Sequence, residues 1–148
     1  MKKIHFTLIF SILSFWMNSL SAQVHELEYI DYPLNCAFSS PDTSNIVINT
    51  QADFKEYVAN CPKSYYADYE DYSIVSVERK FGGCQLHSKS FTITKDTIDK
   101  KYTVKTNLST TGICRMYIRF TKVVLVEKLD PEYEVVFEHT ASRVRKKQ

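Results

Sequence analysis

Glycine is scarce in this 148-residue chain, which contains three glycines and a single tryptophan. Phosphate-binding loops rely on several glycines to bring backbone N–H groups around the ligand, so this composition argues against such a loop. The chain also lacks a Gly-x-Ser-x-Gly elbow and a His-Glu-x-x-His motif. His25, His87 and His139 are scattered, and no short motif joins them to a nucleophile. Carboxylates are plentiful, but no catalytic pair among them is identified.

The first 22 residues have the order of a secretory signal peptide. A pair of lysines precedes an apolar stretch from Ile4 to Leu20, and Ser21 and Ala22 then offer a cleavage site. The apolar stretch is too short and too interrupted for a membrane span. The sequence therefore predicts a secreted or periplasmic protein that starts near Gln23 and has no stable membrane anchor. An uncleaved N-terminal anchor is the alternative.

The charge of the chain is divided unevenly. The full sequence has 19 basic and 17 acidic residues, and removal of the signal takes two lysines and leaves 17 of each. A basic tail at residues 143–148 holds four of these positive charges, so residues 23–142 carry 13 basic and 17 acidic residues. A domain of net negative charge is a poor general nucleic-acid binder, which excludes that class of partner.

All four cysteines follow the predicted signal peptide. An even number of cysteines in an exported chain favours two disulfides. The spacing Cys84-x-x-His87 offers two metal ligands, but no second compact pair accompanies it, so neither a metal nor another cofactor is expected. Spacing alone permits three pairings of the four residues, which are Cys36, Cys61, Cys84 and Cys114.

A predicted hairpin favours one of these pairings. Residues 85–94 and 101–108 alternate as two strands, with Tyr102, Val104, Thr106 and Leu108 on one face. A turn near residues 97–98 would place Cys84 opposite about residue 111, close to Cys114. The hairpin therefore favours Cys84–Cys114, which leaves Cys36–Cys61 as the second bridge.

The remaining pattern is dominated by strands. One helix is predicted after the capping-box sequence Thr50–Asp53, with an apolar face formed by Phe54, Tyr57, Val58 and Cys61 and a stop at Pro62. Many strands, short connections and one short α-helix predict a mainly β domain over residues 23–142, either an antiparallel β-sandwich or an open barrel. The predicted strands are residues 26–30, 45–49, 72–79, 85–94, 101–108, 114–126 and 133–139.

Three stretches carry a resemblance to a known type of protein. They are Asp68–Val75, the glycine–cysteine sites Gly82–Cys84 and Gly112–Cys114, and Val126–Phe137. Together they resemble uncharacterised small secreted proteins of Gram-negative bacteria and, more distantly, the C-terminal domain of PrcB, a component of a protease complex. The resemblance covers roughly residues 45–139. It implies a β-rich, non-enzymatic module that associates with a protease.

The densest unusual feature is a tyrosine-rich acidic segment at residues 65–72. Tyrosine combines a large contact area with a hydroxyl group and is enriched at binding hot spots. The predicted binding residues are Tyr65, Tyr66, Asp68 and Tyr69, facing a protein or a carbohydrate. The alternative is that Tyr69 and Tyr72 pack on the core while the acidic residues are solvated.

The sequence as a whole predicts an exported, disulfide-stabilised binding module. A small secreted hydrolase with unidentified carboxylates, or a secreted inhibitor with a disulfide-braced loop, are the alternatives. The oligomeric state is left open.

Overall fold

The computed structural model of the protein describes residues 24–32, 37–38, 45–59, 67–112, 114 and 116–144. These residues form ten strands and one helix. In chain order they are β1 (Val24–Glu26), β2 (Tyr29–Asp31), β3 (Ala37–Phe38), β4 (Asn45–Ile48), α1 (Gln51–Tyr57), β5 (Val58–Ala59), β6 (Tyr72–Gly82), β7 (Gln85–Asp96), β8 (Lys101–Thr111), β9 (Tyr117–Glu127) and β10 (Glu134–Val144). Among the described residues, no helix is long and apolar enough to cross a membrane.

The strands form two four-stranded sheets and one small two-stranded sheet. The first large sheet has the order β1-β7-β8-β10, the second has the order β2-β9-β6-β4, and β3 pairs with β5. The main core combines residues of both large sheets, including Val75 and Val124 from one and Ile93 and Val104 from the other. The predicted β-rich fold is confirmed, and of the two architectures that the sequence left open it is the sandwich.

Side-chain alternation explains how the strands build this core. Tyr102, Val104, Thr106 and Leu108 are all buried, as their spacing in β8 predicts. The opposite face of the β2-β9-β6-β4 sheet is covered by α1, where Phe54 packs with Ile74 in a second cluster. The β2-β9-β6-β4 sheet is therefore covered on both faces.

The predicted strand at residues 26–30 is divided in the structure. β1 pairs with β7, whereas β2 pairs with β9 in the other sheet. Leu27, between them, is buried in the main core, and its N–H donates to the carbonyl of Ile93 at 2.8 Å. β1 therefore forms the edge of one sheet and β2 the edge of the other, on the same side of the sandwich.

Among the described strands of the large sheets, β10 alone pairs in parallel, lying beside β8 along its whole length. β9 ends in one sheet and the following residues cross to the other, where the N–H of Glu134 donates to the carbonyl of Lys100. β10 therefore starts beside the start of β8 and must run in the same direction. It continues to Val144, so Arg143 and Val144 belong to the sheet and not to the tail assigned from sequence.

α1 has the predicted capping box. The N–H of Asp53 donates to Thr50 Oγ1 at 3.1 Å, and the N–H of Thr50 donates to Asp53 Oδ2 at 3.0 Å. The predicted continuation through Val58 is wrong, because Val58 lies in β5 opposite Phe38. Tertiary pairing here overrides the helical spacing. Cys61 and Pro62, the other predicted residues of the helix end, lie outside the described residues.

The predicted hairpin is present as β7 and β8, but its register differs from the predicted one. Phe91 lies opposite Thr106, two residues beyond the predicted position, because the turn occupies residues 97–100. The Asp96 carboxylate accepts the N–H groups of Ile98 and Asp99, and these hydrogen bonds lower the pKa of Asp96, with the Asp99 N–H as the largest cause. A bulge between Leu86 and Ser88 then shifts the pairing by one residue.

Because of this bulge, Cys84 lies beside Thr111, the position predicted from sequence. Its N–H donates to the carbonyl of Thr111 at 2.9 Å, and the predicted Cys84–Cys114 disulfide is present with a Cα–Cα distance of 5.0 Å. Gly112 has a φ of 80°, and a Cβ atom there would lie 2.2 Å from Cys84 Sγ, so glycine is required for this approach. Cys36 and Cys61 lie outside the described residues, and their pairing stays a prediction.

Candidate functional site

The acidic segment predicted to bind a partner is a compact turn over its described residues, 67–72. The Asp68 carboxylate accepts the N–H of Glu70 at 3.0 Å, and the Asp68 carbonyl accepts the N–H of Tyr72 at 2.9 Å. Asp68 is exposed, whereas Tyr69 is half-buried and packs on Phe54 with a ring-centroid distance of 6.2 Å. The ring of Tyr69 is thus part of the packing that holds α1.

Lys128 fixes this turn to the rest of the domain. Its ammonium group donates to the carbonyl of Tyr69 at 2.6 Å and also to the carbonyl of Asn49, just before α1. Its backbone N–H donates to the carbonyl of Asp71. Tyr72, at the start of β6, is 40% exposed and is the most accessible described tyrosine of the segment. Tyr65 and Tyr66 lie outside the described residues, so their predicted binding role stays a prediction.

A second candidate site lies at the side of the sandwich where β1 and β2 end. β1 pairs only with residues 94–96 of β7, and β2 pairs only with residues 124–126 of β9. Within the described part of the chain, the outer edges of β7 before residue 93 and of β9 before residue 123 have no strand partner. Two open strand edges, one from each sheet, therefore flank the same side of the core.

An open groove of about 300 Å³ lies between these two edges. We call it the edge groove. The residues that line it are Tyr29, Lys89, Ser90, Phe91, Phe120 and Lys122.

Aromatic rings form the base of the edge groove. Tyr29 and Phe91 meet edge to face with centroids 5.2 Å apart, and the Tyr29 hydroxyl donates to the carbonyl of Phe91 at 3.1 Å. Phe91 and Phe120 are buried. The ammonium group of Lys122 lies 5.3 Å from the Tyr29 ring centroid and forms an ion pair with Asp31. The Tyr29 hydroxyl and the Lys122 ammonium group are therefore already engaged with other groups of the protein.

The walls of the edge groove carry backbone groups. The carbonyls of Ile93 and Phe91 face the outer edge of β7, where they accept hydrogen bonds from the Leu27 N–H and the Tyr29 hydroxyl. In a strand, every second residue directs its N–H and C=O to the same edge, so those of Lys89 face this side as well. On β9 the Val123 carbonyl accepts the N–H of Tyr32, which by the same alternation directs Thr121 outward. An added strand could therefore pair with the outward-facing backbone groups at Lys89 on β7 or at Thr121 on β9.

Sequence reasoning identified the strands of this site but not the site. Tyr29, Phe91 and Phe120 are spaced far apart in the chain, and each has the pattern of an ordinary core residue. The site arises because β1 and β2 are too short to cover β7 and β9, which no local motif indicates. The available signal was a difference in predicted strand length. The strand from Cys114 to Val126 was predicted to have 13 residues, whereas the strand at residues 26–30 has five.

The described residues contain no group of three or more His, Cys, Asp or Glu side chains placed to hold a metal ion. Comparisons with protein-family models, curated proteins and solved structures found no match for this chain.

Proposed function

We propose that this protein is an exported, non-catalytic interaction module that binds an extended segment of a partner protein in the edge groove. The observation that carries the proposal is the pair of open strand edges on either side of an aromatic base. An extended peptide that adds to such an edge gains main-chain hydrogen bonds, while its alternate side chains enter the groove.

The chemistry of the lining favours binding over hydrolysis. Among the described residues that line the edge groove there is no carboxylate, and the charged groups are Lys89 and Lys122. General acid–base hydrolysis by paired carboxylates has no basis in that set. Export is supported by the signal-like N-terminus, and the resemblance to PrcB-type domains makes a protease complex the first place to look for the partner.

Hydrogen exchange with a selected peptide tests the proposal. A phage-displayed library of unstructured peptides is selected against the chain from Gln23 onward, and a selected peptide is added to labelled protein. We expect slower exchange at the outward-facing amides of Lys89 and Phe91 or of Arg119 and Thr121. The variant Lys89→Pro removes one outward donor and blocks strand addition to β7, so it should weaken a β7-bound peptide by at least about tenfold.

A double variant separates this site from the tyrosine-rich segment. If the edge groove is the binding site, Tyr65→Ala with Tyr66→Ala should leave peptide binding unchanged, whereas an edge variant should weaken it. Two results would contradict the groove as the binding site and favour the tyrosine-rich segment. One is slower exchange confined to residues 67–72, and the other is a loss of binding in the tyrosine variant but not in an edge variant.

A further inference from the structure

One end of the sandwich contains no acidic residue in its described part. We call it the basic end: residues 79–90, 107–112, 114, 116–120 and 139–144, where β6, β8 and β10 finish and β7 and β9 begin. It carries five basic residues and no aspartate or glutamate. Four of these basic side chains are exposed, namely Lys80, Lys89, Arg119 and Arg143. The adjoining Glu78 pairs with Arg119 at 2.5 Å.

The same end exposes large apolar side chains. Tyr117 is 81% exposed and Met116 is 69% exposed, and Leu86 and Val144 are also exposed. Met116 and Tyr117 both lie beside the end of β6, because Tyr117 lies opposite Gly82, and the Gly83 N–H donates to the carbonyl of Met116. An exposed apolar pair surrounded by one sign of charge is a feature of interaction surfaces.

At the basic end, a cation of one sheet lies close to a strand of the other sheet. Arg143 lies opposite Thr110 in β8, and its guanidinium is 3.8 Å from the position that a Cβ atom of Gly82 would occupy. Lys80 lies opposite Arg119, so cations of β6, β9 and β10 lie near the strand ends that carry Met116 and Tyr117.

We infer that the basic end docks the protein on an anionic lipid bilayer, with Met116 and Tyr117 entering the interfacial region. Clustered lysines and arginines are attracted to anionic lipid surfaces, and apolar side chains in the interface add a second contribution. Tyrosine suits this position because its ring is apolar and its hydroxyl stays hydrated. The edge groove shares Lys89, Ser90 and Phe120 with the basic end, whereas Met116 and Tyr117 are not among the residues that line it.

The rest of the charge distribution would orient the docked molecule. The opposite end, which we call the acidic end, comprises residues 67–72, 96–100 and 127–134 and carries nine acidic residues and two lysines. An anionic surface repels this end while it attracts the other, so the domain should dock with the basic end toward the bilayer and the acidic end away from it.

Vesicle sedimentation with a fluorescent reporter tests the inference. The chain from Gln23 onward contains no tryptophan, so Tyr117→Trp introduces a single reporter. With vesicles of phosphatidylcholine and phosphatidylglycerol, we expect sedimentation that decreases with added salt and a blue shift of the tryptophan emission. Vesicles of phosphatidylcholine alone should bind far more weakly. The matched reporter Ile98→Trp, at the acidic end and 62% exposed in the native chain, should show no shift.

Charge variants provide the second arm. Lys80→Gln with Arg143→Gln removes two cations of the basic end and should lower the partition coefficient about 25-fold, taking about fivefold for each charge. The control Lys55→Gln with Lys101→Gln removes the same charge away from this end and should have a much smaller effect. Equal losses in both pairs, equal binding to neutral vesicles, or an unshifted Tyr117→Trp emission would overturn the inference. Sedimentation without a blue shift would indicate a polyanion-binding surface instead of a bilayer site.

Discussion

The acidic end and the basic end close the same sandwich, but they are held together by different means. At the acidic end, Phe54 packs on Tyr69, and Lys128 binds two carbonyl groups. At the basic end, β7 is exposed from Gln85 to Ser90, and the Cys84–Cys114 disulfide joins the start of β7 to the segment before β9. A covalent link thus secures the end at which the start of β7 is exposed, whereas side-chain packing and a lysine secure the other end.

The largest effect is expected from loss of packing at the acidic end. Phe54→Ala empties the centre of the cluster between α1 and the β2-β9-β6-β4 sheet, where Phe54 is only 4% exposed. We expect the free energy of unfolding to fall by about 3–5 kcal/mol, measured by urea denaturation. The control Glu56→Ala, exposed on the same helix, should change it by less than about 0.5 kcal/mol. Similar values for both variants would mean that α1 contributes little to this end.

Removal of the disulfide should have the next largest effect. Cys84→Ser with Cys114→Ser opens a loop of sequence separation 30 and should lower the free energy of unfolding by about 2–4 kcal/mol. Hydrogen exchange should become faster at Gln85–Ser90 and remain unchanged at residues 67–72. If both ends exchange faster to the same extent, the two ends are not anchored independently.

A smaller effect is expected from Lys128→Met. The substitution keeps an apolar side chain of similar length but removes the donors to the carbonyls of Tyr69 and Asn49. We expect a loss of about 1–3 kcal/mol in the free energy of unfolding, with faster amide exchange in residues 67–72. Lys55→Met, on the exposed face of α1, is the matched control. A loss no greater than that of the control would show that the turn is held by packing alone.

The acidic end was the more predictable of the two from sequence. The capping box at Thr50 and Asp53 starts the helix that packs on this end, and it is a local pattern because the backbone N–H groups of a helix start dictate its hydrogen bonds. The strand that begins at Tyr72 is likewise local, being rich in β-branched residues. What the sequence did not provide was the engagement of Lys128, which depends on a contact 59 residues away in the chain.

The structure of the basic end could not be predicted without the register of the strands. Cys84–Cys114 was predicted from a hairpin that was placed two residues away from its observed pairing, and the bulge after Leu86 offset part of that error. Bulges and turn lengths depend on backbone geometry, which residue patterns specify weakly. The charge separation itself is readable from sequence only after the strand order shows that residues 79–90, 107–112, 116–120 and 139–144 share one end.

The smallest effect concerns His139, which enters the sandwich from β10 near the basic end. Burial lowers the pKa of His139, and the positive charge of Arg79 lowers it further. The folded protein therefore favours the neutral imidazole. The unfolded chain has an ordinary histidine pKa of about 6.5 and takes up the proton first as the pH falls. The stability that the neutral form contributes is present above about pH 6.5 and is lost as the pH falls toward the lower pKa of the folded state.

His139→Gln should flatten that part of the pH profile. We expect the free energy of unfolding of the native protein to decline from pH 7 to pH 5 more steeply than that of the variant, measured by urea denaturation at each pH. Arg79→Met should weaken the dependence without abolishing it, because burial remains the larger cause of the lowered pKa. His25→Gln, at an exposed position in β1, provides the control and should leave the slope as it is. A variant slope equal to the native slope would show that His139 does not titrate differently in the folded and unfolded states.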